Sequence, residues 1–552
     1  MAFSVGVPRS ITSLRDYSLA KFWADLVAGI TVGLVALPLA MAFAISSGVP
    51  PQAGLYTAIV AGFLVSALGG STCQIGGPTG AFVVVVSGII GKYGMDGLLM
   101  CTLMAGVMLM ILGLTGLGTA VKYIPRPVVI GFTNGIAVLI ASTQIKDFFG
   151  LKVTTPGDFL GRMSALFSGF STLNGAATAT GLVSLGVIVL MMRYVKKVPG
   201  SIVVLLGGTV AVWLLRLPVE TIATRFGGIP AGLPRFTVPH FRPELMLTLL
   251  SPALTVTMLG AVESLLSAVV ADRMAGDRHD SNTELFAQGV ANFCSPFFGG
   301  LPATGAIART ATNIRSGAKT PMAGMIHAVV LLLILLVAAP LAKEIPLCVL
   351  AAILFVVAYN MGEWGEIPEI LKLTKADISV WAITFLLTVF ADLSVAVEVG
   401  MILAALLYIG KVTATTTVAS ITPGYVQEGM AHSLQVHALP DGVAAFRISG
   451  PFLFGSSDKL SVIDLGLASL PPVVLLRLRN MTAIDGTGLH ALEGLADRLH
   501  ATGRTLVVCG MRDQPGRLMR QAEFDRHLGH ENICPTLEAA VVRARELLAA
   551  AV

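Results

Sequence analysis

The chain has 552 residues, enough for three or four ordinary domains, yet only 12% of them are charged and 55% are hydrophobic. Soluble proteins carry roughly 25% charged residues, so a chain this poor in charge cannot cover its own surface in water. The net charge of +5 forms no basic stripe, which excludes a nucleic-acid binder, and six scattered cysteines without a C-x-x-C pair exclude a zinc site or disulfide framework.

Charge is also unevenly placed. Of the 69 charged residues, 25 fall within 421–552. Between Asp25 and Lys92 there are 66 residues without Asp, Glu, Lys, Arg or His. The pattern predicts a polytopic α-helical membrane protein carrying a soluble C-terminal α/β domain. The start, Met1 to Tyr17, has Arg9 and Arg15 but no short apolar core with a cleavage site, so no signal peptide is expected.

A helix needs about 20 apolar residues to cross the hydrocarbon core. Stretches of that kind lie at 24–45, 52–69, 97–118, 127–145, 174–193, 201–216, 246–270, 323–342, 346–361, 377–392 and 394–410. Three more, at 78–92, 283–298 and 304–316, are too short or too rich in glycine to span alone; with them the count is fourteen. Lysine and arginine in short loops set the orientation. With Arg9, Arg15 and Lys21 in the cytoplasm, every even-numbered segment ends inside. Lys122 and Arg126, then Arg193, Lys196 and Lys197, then Arg273 and Arg278 fall as required. So do Arg315 and Lys319, Lys372 and Lys375, and Lys411. The 216–244 loop, with four arginines on the outer side, is the exception. Both termini are expected in the cytoplasm, and the membrane is expected to be the inner, or plasma, membrane.

The short segments contain a repeat. One begins Gly76-Gly77-Pro78-Thr79-Gly80-Ala81; the other begins Gly299-Gly300-Leu301-Pro302-Ala303-Thr304-Gly305-Ala306, and the two threonines are 225 residues apart. They open the third and tenth segments, the same place in two sets of seven. Because seven is odd, the second set is inverted in the membrane. Inverted repeats with short, Gly/Pro-interrupted segments point to a secondary transporter with a site at the bilayer midplane. Two half-helix N-termini aimed at that site would favour an anion. The plainer alternative is that both motifs are packing kinks.

Ionisable residues inside a membrane are costly and commonly functional. Glu263 is the only charge from Leu245 to Ala271. It reads either as a permanently neutral or paired group, or as a coupling carboxylate that takes a proton or sodium ion as substrate binds. Ser264 and Ser267 would supply hydroxyls to either ion. Arg309, five residues after Thr304, reads as a fixed positive charge beside the anion or as a partner of Glu263. Asp392 and Glu398 read as interfacial.

These residues resemble the sulfate permease (SulP) family of anion transporters. The resemblance is carried by Asp25–Leu37 with Pro38, by Gly48-Val49-Pro50-Pro51-Gln52-Ala53-Gly54-Leu55-Tyr56 and by Gly77-Pro78-Thr79. It continues through Gly260-Ala261-Val262-Glu263-Ser264-Leu265-Leu266 and from Phe297-Phe298-Gly299-Gly300 to Arg309. It implies fourteen segments in two inverted repeats, 22–218 and 243–418, after a cytoplasmic start at 1–21. Core and gate domains would move in an elevator-like way, with a cytoplasmic STAS domain at 424–552. It also implies an anion site at Thr79, Gly80 and Ala81 and from Thr304 through Gly305, Ala306 and Ala308 to Arg309, with Phe43 as an aromatic contact. Glu263, with Ser267, takes the cation-coupling place, and a sodium ion there is the one metal considered. Leu39 and Ala308 stand where several relatives have polar residues. The run Ile145-Lys146-Asp147-Phe148 and the segment from Glu263 to Arg309 resemble the bacterial aerobic four-carbon dicarboxylate branch, which implies succinate or fumarate as substrate; sulfate or bicarbonate is the alternative.

From about 424 the pattern becomes short β-rich runs alternating with helices: Val443–Ile448, 457–469, Val473–Leu478, 487–501, Thr505–Cys509, 513–523 and 536–550. Such alternation predicts a small α/β domain. Met481-Thr482-Ala483-Ile484-Asp485-Gly486-Thr487-Gly488 resembles the signature loop of STAS domains, in which Thr487 is a regulatory candidate. Its plain reading is a helix N-cap. No Walker-type motif occurs, so no ATP motor is expected. The resulting expectation is a non-enzymatic secondary anion transporter without cofactor, a homodimer in lipid, with a cytoplasmic regulator at the STAS domain. An anion channel and a membrane anion sensor are the readings from other classes.

Overall fold

The computed structural model describes residues 5–118, 125–195, 199–228, 232–391, 393–421, 439–464 and 466–550. Lys122, Lys196, Lys197 and Asp392 lie outside the described residues, as do residues 424–438 of the tail and the side chain of Glu398. The chain divides into two compact units, Met1–Ile402 and Leu403–Val552.

The first unit is helical. A short helix, α1 (Arg9–Leu14), leads into α2 (Leu19–Ser46) and α3 (Pro51–Leu68). Ser18 starts α2 by accepting the Lys21 N–H, and Pro51 starts α3 at a position where its missing N–H costs nothing. A two-residue strand, β1 (Gly76–Gly77), precedes α4 (Ala81–Thr115). Then come α5 (Arg126–Phe149), α6 (Phe159–Ser168), α7 (Gly175–Tyr194), α8 (Gly200–Leu215) and α9 (Ile222–Phe226). The second half runs α10 (Leu250–Ala275), α11 (Ser281–Cys294), β2 (Thr304–Gly305), α12 (Ile307–Arg315) and α13 (Met322–Ala342). It ends with α14 (Leu347–Met361), α15 (Ile367–Ile370), α16 (Lys375–Phe390) and α17 (Leu393–Thr415), the last contributing residues to both units.

Among the described residues, seven helical stretches are long and apolar enough to cross a membrane, and three shorter apolar helices accompany them. A helix lies over each stretch picked out in the sequence. Segments 78–92 and 97–118 are the two halves of α4, separated by a kink at Gly94 (φ 71°, ψ −171°). The two arginines that most disturb the charge rule in the 216–244 loop have local partners: Arg225 pairs with Asp147 at 2.8 Å, and Arg242 with Glu244 at 3.3 Å.

Helix pairings recur between the halves. As α2 and α3 pack on α13, so α10 and α11 pack on α4; as α5 packs on α16, so α14 packs on α7. Contacts are dense within the set α2, α3, α4 and α10–α13, and within the set α5, α7, α8, α14 and α16. The two sets meet mainly through α2 against α14 and α8, and through α4 against α5. Close approach inside the first set uses small residues. A Cβ added at Gly106 would lie 2.6 Å from the Phe293 nitrogen, and one at Gly289 would lie 2.5 Å from the Met110 nitrogen.

The second unit holds a five-stranded sheet in the order β3 (Thr417–Ser420), β4 (Val443–Phe452), β5 (Val473–Ile484), β6 (Thr505–Cys509) and β7 (Ile533–Cys534). β3 is antiparallel to β4 and the other pairs are parallel. Side chains alternate between two cores. Ile448, Val474, Leu476 and Val508 pack with the 486–501 helix, and Ala445, Leu475, Val507 and Cys509 with the 537–550 helix. The sequence reading missed β3 and β7, which are too short to show alternation, and read 457–469 as one helix where 3-10 turns surround Ser461–Asp464.

Candidate anion-binding site

The two Gly/Pro motifs meet. Gly76 pairs with Gly305 and Gly77 with Thr304 in an antiparallel bridge, and α4 and α12 start just beyond it. Broken backbone at membrane depth is tolerated only where protein or a watery cavity satisfies it. Here the partners are protein groups: Ala306 N–H donates to the Ile75 carbonyl at 2.8 Å, and Ile75 N–H to Thr310 Oγ1 at 3.0 Å.

Glu263, on α10, is drawn to the first motif. Thr79 Oγ1 donates to its Oε2 at 2.8 Å. Arg309, only 2% exposed, reaches the same turn from α12 and donates through Nη2 to the Pro78 carbonyl. Its Nη1 has no hydrogen-bond partner among the described residues and lies beside Gly77, where an added Cβ would sit 2.5 Å away. Gly77 also has φ +148°, so a side chain there is excluded twice. Carboxylate and guanidinium thus flank Pro78-Thr79 within reach of each other's charge. No direct ion pair joins them among the described residues, so Arg309 fits the role of fixed charge better than that of salt-bridge partner.

The second motif is held by Ser264. Its hydroxyl lies 2.7 Å from Thr304 Oγ1 and accepts the Gly305 N–H at 3.1 Å, while its carbonyl accepts Gln74 Nε2 at 3.0 Å. Ser267 is occupied elsewhere. Its hydroxyl, one turn along α10 from Glu263, donates to Thr310 Oγ1 on α12 at 3.2 Å and makes no hydrogen bond to Glu263 among the described residues.

Phe43 lies beside the first half-helix. A Cβ at Gly80 would lie 3.3 Å from its ring, 2.7 Å from Ile140 Cδ1 and 3.3 Å from Met361 Sδ. Phe43 on α2, Ile140 on α5 and Met361 at the end of α14 therefore form an apolar wall drawn from both helix sets. Ala81 and Ala306 are buried, whereas Ala308 is exposed in the first turn of α12.

Three carboxylates inside the first unit differ in how they are satisfied. Asp25 accepts the Lys319 and Thr320 N–H groups at 2.7 and 3.1 Å and the Thr320 hydroxyl at 2.5 Å. Glu284 accepts the Gly70 and Ser71 N–H groups at 3.0 and 3.1 Å, and Gln288 Nε2 at 3.0 Å. Glu263 accepts one hydroxyl among the described residues. Gln74, Ile140, Met361 and Glu284 escaped the sequence reading. Glu284 had a legible signal: with Gln288 and Asn292 it makes an i, i+4, i+8 polar line in an otherwise apolar stretch.

Comparison with known proteins shows the family. The sulfate permease family matches residues 22–384, and the STAS domain matches residues 438–540. The chain belongs to the sulfate permease family. It is 42% identical over 521 residues to a putative sulfate transporter, YvdB, of Bacillus subtilis, covering 94% of this chain and 97% of that one. It is 33% identical over 534 residues to the bicarbonate transporter BicA of Picosynechococcus, covering 94% of each. In fold it matches the inward-facing murine anion transporter Slc26a9, with a TM-score of 0.87 at 19% identity over 98% of this chain and 94% of that one. Family membership makes this a multi-pass membrane transporter of anions and not an enzyme.

In the STAS domain, Asp485, not Thr487, caps the 486–501 helix, accepting the Gly488 N–H at 2.8 Å and the Phe454 N–H at 3.0 Å. Thr487 is exposed in the first turn, and the N-cap reading of this loop is met by Asp485.

Proposed function

We propose that this chain is a secondary active anion transporter in which Glu263 couples anion binding to a proton or sodium ion. The hydrogen bond from Thr79 to Glu263, beside the buried Arg309, carries the reading. An ionised Glu263 offsets the Arg309 charge and opposes anion entry. Once a cation neutralises it, Arg309 and the two helix N-termini act together on an anion. By linkage, the anion favours cation binding by the same factor. Asp25 and Glu284, held by backbone N–H groups, are poorly suited to that exchange; Glu263, with one hydroxyl partner, can release it.

The recurring pairings support two inverted repeats of seven segments, and the sparse contact between the two helix sets supports elevator-like movement of one set against the other. Basic loops support cytoplasmic termini in a plasma membrane. Small oxyanions are the leading substrates, since relatives at 42% and 33% identity are named for sulfate and bicarbonate. The 145–148 run and the 263–309 segment favour four-carbon dicarboxylates as a second reading. A homodimer and a cytoplasmic regulator acting at Thr487 complete the proposal; a phosphoryl group there would lie at a helix N-terminus, where negative charge is favoured.

Uptake of radiolabelled sulfate, bicarbonate, succinate and fumarate into proteoliposomes, at two pH values with and without sodium, tests this. Uphill uptake driven by an imposed proton or sodium gradient is expected, and Glu263→Gln is expected to lose the gradient dependence. Gradient-insensitive conductance in the wild type would instead indicate a channel, and binding without flux a sensor.

A further inference from the structure

We infer that the buried polar line Glu284–Gln288–Asn292 on α11 is the positioning element of the anion site, holding the approaches to both half-helices on one rod. The inference rests on the transporter reading above. Glu284 and Gln288 have no exposed surface and Asn292 has 1%. At its N-terminal end the line grips the chain before the first motif, through the Gly70 and Ser71 N–H groups on Glu284 Oε2. Two turns further on it grips the second motif itself, just before Thr304. Asn292 Nδ2 donates to the Ala303 carbonyl at 2.8 Å, and its Oδ1 accepts the Ala303 N–H at 2.8 Å. Gln288 joins the ends, donating to Glu284 Oε1 at 3.0 Å, while its carbonyl accepts Asn292 Nδ2 at 2.8 Å.

Ala303 directly precedes Thr304, whose backbone pairs with Gly77. Displacing Ala303 therefore displaces the bridge from which both half-helices depart. The close fit at the other end leaves no slack, because a Cβ at Gly69 would lie 2.8 Å from Glu284 Oε2. Glu284 acts here purely as an acceptor. Glutamine can replace it, keeping one oxygen for Gly70 and Ser71, if the Gln288 amide, whose Nε2 now faces residue 284, flips to present Oε1, which has no partner among the described residues.

The test compares wild type with Glu284→Gln, Glu284→Ala, Asn292→Ala and Asn292→Ser in proteoliposomes, with labelled sulfate and bicarbonate as probes. Hydrogen exchange of residues 69–77 and 302–306 is measured on the same full-length proteins. Glu284→Ala and Asn292→Ala are expected to raise KM about tenfold and to speed exchange in both segments. Glu284→Gln is expected to stay within about twofold of wild type with an unchanged pH profile. A Glu284→Gln variant as impaired as Glu284→Ala, with altered pH dependence, would make Glu284 a proton carrier and overturn the inference. So would folded Asn292 variants with wild-type KM and unchanged exchange. If wild type moves neither probe, the substrate reading fails, and faster exchange confined to these segments still decides the positioning role.

Discussion

Arg309 shows what burial does to a single side chain. A guanidinium cannot shed its proton inside a protein, so at 2% exposure it needs acceptors, and the Pro78 carbonyl occupies only one side of it. On the proposed transporter reading, an anion engages Nη1, which has no hydrogen-bond partner among the described residues. Hydrogen bonds to charged groups contribute about 1.5–3 kcal/mol. Arg309→Ala is therefore expected to weaken anion binding about 10–100-fold by calorimetry, while Arg309→Lys, which keeps the charge but loses the planar fork, falls between. Unchanged affinity in the alanine variant would remove Arg309 from the site. At this scale Glu263 and Arg309 were legible because an isolated charge in an apolar run stands out. The Thr310 partner of Ser267 and the place of Ile140 were not legible, because contacts between distant helices are not written in neighbouring residues.

The turn between α10 and α11 shows how an element is tied down outside the membrane-spanning helices. Burial pushes the Asp277 carboxyl up, but hydrogen bonds from the Thr72 hydroxyl and the Arg278 N–H, with Arg9 at 3.5 Å, hold it below the usual carboxylate range. A carboxyl depressed on folding stabilises the protein above its unfolded pKa, about 3.9 for Asp. That contribution disappears as pH falls through the lower folded value. Asp277→Asn is expected to lower Tm by about 1–2 °C at pH 7, and the gap to wild type should close below about pH 4. A gap that persists in acid would show that packing, not charge, holds the turn. Helix existence was readable here from apolar length. So was the break at Gly94, because Lys92 and Asp96 interrupt the apolar run on either side of it.

For the whole molecule, the two cores of the second unit are made from its own strands and helices, so residues 413–552 are expected to unfold cooperatively on their own. Burial pushes the Cys509 thiol up to about 12, leaving almost no thiolate at pH 8. A thiol reagent should spare Cys509 until denaturant unfolds the fragment; rapid labelling in native buffer would contradict the packing. The sequence by itself determined that most of the chain lies in lipid, that a soluble α/β domain follows, and that two Gly/Pro motifs matter. Scarcity of charge, apolar length and repeated spacing are local properties, and they survive without coordinates. Only the tertiary structure showed how each buried carboxylate is satisfied. Asp25, Glu263 and Glu284 are alike in sequence, and the difference lies in partners brought from hundreds of residues away. Backbone N–H groups close around two of them, and a single threonine hydroxyl meets the third.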